Sequence, residues 1–147
     1  MDRAELIKEA IKARKNAYAP YSHYLVGAAL LTEEGELYLG CNIENASYPA
    51  GICAERTALV KAVSEGKRQF KAIAIAGSPE VLTPDGGISD EITSASFPCG
   101  ICRQMLREFV DPASFIVLTA DAGGVIHEYT LEELLPESFG PDNLIKR

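Results

Sequence analysis

Leu25-Val26-Gly27-Ala28-Ala29-Leu30-Leu31 is an unbroken apolar run of strand length. Its lack of alternation marks a strand covered on both faces. Glu33-Glu34-Gly35-Glu36 then makes a turn, and the next strand, 37–41, follows too closely to cross over, so it returns antiparallel. Upstream, Asp2 and Glu5 resemble a capping box, and Leu6, Ile7, Ala10, Ile11, Ala17 and Tyr18 recur at helical spacing, predicting a helix that stops before Pro20. Downstream, 42–52 is polar and irregular. A helix is expected from about Cys53, with Ala54, Ala58, Leu59, Ala62 and Val63 on one side and Gly66 as its stop. A strand follows over 71–77. The Pro-, Gly-, Ser- and Thr-rich stretch 78–97 reads as a long surface loop. Pro98 is expected to begin another helix, with Ile101, Met105, Leu106, Phe109 and Val110 buried. Strand 115–119, an antiparallel strand 125–129 and a short helix 131–135 complete the pattern, without a repeat or a linker. One α/β domain over 1–147 is expected, a three-layer α/β/α sandwich around a five-stranded mixed sheet.

The bulk numbers narrow the function. A chain of 147 residues can bury a proper core. Its net charge of −7 argues against a phosphate-tracking nucleic-acid binder but leaves a small neutral ligand open. No apolar run reaches membrane-spanning length, and the polar start, Met1-Asp2-Arg3-Ala4-Glu5, flows into a helix rather than a secretory signal. The expectation is a cytoplasmic protein without membrane or nucleic-acid partners. In that setting a Cys-x-x-Cys pair reads as metal-binding or redox-active.

Two segments carry the chemistry: Cys53-Ala54-Glu55-Arg56 and Pro98-Cys99-Gly100-Ile101-Cys102. Both fall at expected helix starts, where free N–H groups and the helix dipole favour a thiolate. Three thiolates leave one corner of a tetrahedral zinc open for water, and Glu55 sits two residues from the first thiol to handle that water's protons. Three thiolates also load the ion with negative charge. Arg56 and Arg103 are the candidate counter-charges, with Arg56 expected to hydrogen-bond a thiolate. A closed structural site would need a fourth ligand from Cys41, His23 or His127.

Taken in order, these blocks resemble the small, homotetrameric, zinc-dependent type of cytidine deaminase. The resemblance runs through Tyr21-Ser22, Val26-Gly27-Ala28-Ala29, Gly40-Cys41-Asn42-Ile43-Glu44-Asn45-Ala46, Gly51-Ile52-Cys53-Ala54-Glu55-Arg56-Thr57-Ala58, Pro98-Cys99-Gly100-Ile101-Cys102-Arg103-Gln104 and Leu134-Leu135-Pro136-Glu137-Ser138-Phe139-Gly140-Pro141. It implies one zinc per chain on Cys53, Cys99 and Cys102, with Glu55 as proton shuttle. It implies that Asn42 and Glu44 hydrogen-bond the ribose hydroxyls and that the backbone at Ala54 reads the base. Tyr24 stands where the family usually has a phenylalanine packed on substrate. Ala46, Tyr48 and Phe139 match positions that reach a neighbouring subunit's pocket. The stretch 78–97 is longer than the family norm. The implied reaction is hydrolytic deamination of cytidine and deoxycytidine in pyrimidine salvage. Its rivals are a deaminase of modified cytosine nucleosides, a nucleic-acid base editor and a structural zinc protein.

Overall fold

The computed structural model describes residues 1–145. Helix α1 (Arg3–Arg14) leads into strand β1 (Tyr24–Thr32) and strand β2 (Leu37–Cys41). Helix α2 (Ala54–Ser64), strand β3 (Phe70–Pro79), helix α3 (Gly100–Arg107), strands β4 (Ile116–Ala120) and β5 (Ile126–Thr130) and the short helix α4 (Leu131–Leu134) follow. The sheet order is β2-β1-β3-β4-β5. Only β3 and β4 are parallel, as their helical crossover requires; the other pairs are antiparallel. The sheet is therefore five-stranded and mixed, as expected.

Alternate residues of each central strand serve opposite faces. Leu6, Ile7 and Ala10 of α1 pack with Ala29, Leu31, Ala72, Ala74, Ala76 and Leu118. On the other face Ala58, Leu59 and Ala62 of α2, Leu106 of α3 and Leu131 of α4 pack with Ala28, Leu30, Ile73, Ile75 and Val117. Both faces are covered, so these strands show no polar alternation. The alanines of β3 face α1, and its isoleucines face α2 and α3.

Several details depart from the sequence reading. Helix α1 is capped by Asp2, whose carboxylate accepts from the Glu5 N–H at 2.8 Å, but it ends at Arg14. Tyr18 lies beyond it, because its backbone pairs with the 42–52 segment: its N–H donates to the Asn42 carbonyl and its carbonyl accepts from Glu44. Strand β3 runs on to Pro79, since Ser78 and Pro79 pair with Leu25 and Tyr24. Pro98 precedes the helix rather than opening it, because Cys99 is the N-cap of α3. Ile101 points outward, and Cys102 and Leu106 take the buried side.

The stretch 78–97 is more than a surface loop. Ile92 is buried under α1, and the wholly buried Arg14 binds the segment. Its Nη1 donates to the Ser89 carbonyl at 2.6 Å, its Nη2 to Ser78 and Pro79, and its Nε to Leu25. Burial lowers its pKa, and the four carbonyls satisfy the charged group.

Candidate active site

β1 begins, and β2 and β3 end, at the same end of the sheet. A cleft of about 810 Å³ opens there. Open α/β sheets place ligands beyond the carboxyl ends of their parallel strands, and this cleft follows that rule.

Helix α2 reaches the cleft by lying close on β2. A Cβ at Gly40 would stand 2.4 Å from the Ala54 carbonyl oxygen and 2.5 Å from the Ala58 nitrogen. Only glycine lets the first turn of α2 sit so near the sheet. Cys53 is the N-cap of α2 and Cys99 that of α3. Serine, aspartate or asparagine would cap these helices better. Neither thiol makes a cap bond to its own helix, so both sulfurs face away from it toward each other.

The Sγ atoms of Cys53, Cys99 and Cys102 all lie within 4.8 Å of one another. Cys53 and Cys99 are 3.7 Å apart, and Cys99 and Cys102 3.4 Å. A tetrahedral zinc with bonds of about 2.3 Å sets its sulfurs about 3.8 Å apart, so the three thiols fit that ion. Cys41 stands outside this cluster. His23 pairs with Glu80 and His127 with Asp121. Among the described residues no fourth protein ligand joins the three, which is the donor set of an open site.

Arg56 answers the charge. Its Nη2 donates to Cys53 Sγ at 3.7 Å, and its buried Nε has no hydrogen-bond partner among the described residues. Arg103, the other candidate, turns away to the carbonyls of Pro98 and Leu134. Hydrogen bonds from Cys102 and Arg56 bring the Cys53 thiol down to about 5. The same pairing with Cys53, together with burial, pushes the Cys102 thiol up. Glu55, only 4% exposed, is raised to about 7, chiefly by burial. A carboxyl balanced near neutrality both takes and gives a proton.

Tyr24, Asn42, Glu44, Tyr48, Cys53, Ala54, Glu55, Arg56 and Cys99 all line the cleft, and Cys102 closes the thiol cluster from beneath. Asn42 bridges β1, accepting from the Val26 N–H and donating to the Tyr24 carbonyl. Glu44 holds the preceding loop through the backbone N–H groups of Tyr21 and Ser22 and the Ser22 hydroxyl. Those bonds lower its pKa. Ala46 and Phe139 do not line the cleft. Phe139 is 59% exposed, and its backbone carbonyl accepts from Gln104. Ala95, Ser96 and Phe97 also line the cleft, and their segment has no periodicity that could have signalled them.

The family "Cytidine and deoxycytidylate deaminase zinc-binding region" matches residues 1–119. The cytidine deaminase of Sporosarcina psychrophila is 46% identical over 98% of this chain and 96% of its own length. That of Halalkalibacterium halodurans is 46% identical over 98% of both chains. Among solved structures, the cytidine deaminase of Burkholderia pseudomallei superposes with a TM-score of 0.80 at 40% identity, over 95% of this chain and all of that one. The Mycobacterium tuberculosis enzyme gives a TM-score of 0.74 at 31% identity, over 95% of this chain and 98% of its own. A buried carboxyl beside three convergent thiols and this likeness along the chain point the same way: the chain belongs to the cytidine and deoxycytidylate deaminase family.

Proposed function

We propose that this chain is a cytidine deaminase, converting cytidine and deoxycytidine to uridine and deoxyuridine by hydrolysis, with ammonia released. The observation that carries the reading is Glu55: a nearly buried carboxyl, raised to about 7, in the turn that also carries Cys53. Cys53, Cys99 and Cys102 hold one zinc per chain, and Arg56 offsets their charge. When bound, zinc supplies a Lewis acid that lowers the pKa of a coordinated water.

Glu55 takes a proton from the attacking water and gives it to ring N3, which makes C4 electrophilic. The water oxygen bonds to C4. Glu55 then passes the second proton to the amine as the C4–N bond breaks, leaving a C4 carbonyl and ammonia. One carboxyl serves as base and then as acid. Among the described residues Asn42 commits one of its two amide hydrogens, and Glu44 keeps acceptor capacity beyond its three bonds; together they suit a ribose diol. The Ala54 backbone, at the open helix end, meets the base, and Tyr24 packs against it.

The same reading gives a single catalytic domain over 1–147, acting in the cytoplasm in pyrimidine salvage. It is a homotetramer in which Ala46, Tyr48 and Phe139 reach a neighbour's cleft. Among the described residues no helix is long and apolar enough to cross a membrane. The test is to incubate purified, zinc-quantified protein with cytidine and follow the loss of cytosine absorbance. Rapid conversion with about one zinc per chain is expected. No conversion at full zinc overturns cytidine as the substrate.

A further inference from the structure

The segment joining β3 to α3 supplies part of the cleft wall through Ala95, Ser96 and Phe97. Contacts along its length tie it to the fold. Arg14 binds the Ser89 carbonyl, Ile92 enters the core under α1, and the Phe97 ring meets Tyr129 edge-on with centroids 5.7 Å apart. At its end, Ser96 Oγ lies 3.3 Å from Tyr24 Oη, a long hydrogen bond between two hydroxyls. Gly77 lies against the pair. A Cβ there would come within 2.5 Å of Ser96 Oγ and 3.0 Å of Tyr24 Cε1. The missing side chain at 77 is what allows the wall and the ring to meet.

We propose that Ser96 is a positioning residue whose hydroxyl sets the Tyr24 ring against the bound nucleoside, a role that rests on the cytidine deaminase reading above. The terminal torsion of a tyrosine ring is broad. A bond at its hydroxyl narrows that freedom before substrate arrives, so binding does not have to supply the ordering. The ring contact is present in both the ground state and the transition state. Its loss therefore raises KM and leaves kcat nearly unchanged.

The test measures kcat and KM for cytidine in wild type, S96A, Y24F, the double variant and S96T. S96A is expected to raise KM about three- to tenfold, the range that one neutral hydrogen bond spans. Its kcat is expected to stay near wild type. Y24F removes the other half of the same bond, so the double variant is no worse than the poorer single one. S96T keeps the hydroxyl and restores KM. An unchanged KM in S96A, or effects of S96A and Y24F that multiply, overturns the positioning role alone. A wild type that does not convert cytidine overturns the functional reading and this role with it.

Discussion

Burial beside three thiols raises the energy of the charged form of Glu55, and this is what makes it useful. Glutamine at 55 keeps the shape and cannot carry a proton. Glu55→Gln is expected to lower turnover by more than about 10⁴-fold, the upper end for general acid–base catalysis, because the carboxyl also positions the water. Zinc content, measured on the same sample, stays near one per chain, because the three thiols are untouched. Turnover within tenfold of wild type would sink the mechanism. Glu44 shows the opposite shift. Hydrogen bonds from Ser22 and Tyr21 hold its pKa below the usual carboxylate range. The folded protein then binds this proton more weakly than the unfolded chain. The stabilisation is complete above the unfolded value of about 4.3 and is lost as pH falls through the lowered folded value. Melting curves should show Glu44→Gln less stable than wild type at neutral pH, with the gap closing in acid. A gap that is constant with pH would mean that Glu44 does not latch the loop through its charge.

At the scale of elements, the approach of α2 to β2 decides where Cys53 stands. Gly40→Ala would drive a methyl against the α2 backbone, and overpacking of this kind costs about 1–3 kcal/mol. Because the displaced turn carries Cys53 and Glu55, the variant should lose bound zinc as well as thermal stability. A lower melting temperature with zinc content intact would show that the strain relaxes away from the site. The elements that were legible in the sequence are those whose signal is local. Leu25 to Leu31 declares a covered strand, and the short connection to β2 leaves one geometry. The thiols and Glu55 were legible for the same reason, since each sits within one turn of a helix start. What was hidden depends on partners far along the chain. Ala17 and Tyr18 keep helical spacing, yet pairing of Tyr18 with Asn42 and Glu44 ends α1 early. Nothing in the sequence around Arg14 marks it as buried, because the carbonyls that hold it come from three distant segments. Ser96 has no pattern around it at all and reaches the cleft through those same anchors.

At the scale of the molecule, the cleft wears an apolar rim that this chain leaves uncovered. Tyr21, Ile43, Tyr48 and Phe97 line it and are all exposed, Tyr48 by 74%. Single exposed apolar groups are ordinary, but several gathered at one cleft mark a surface meant for a partner. A neutral nucleoside is too small to cover them all. In the proposed tetramer a neighbour's chain would cover the rim. Phe139 fits this role: its ring is exposed while its backbone is held in place by Gln104. Light scattering should therefore give four times the chain mass. Activity should depend on protein concentration, since dilution that separates the chains also opens each cleft. Phe139→Ala should raise KM for cytidine while leaving the folded chain as stable as before, because the ring contributes little to its own core. A monomer with full specific activity at nanomolar concentration would show that each cleft is complete by itself, and the rim would then need another explanation.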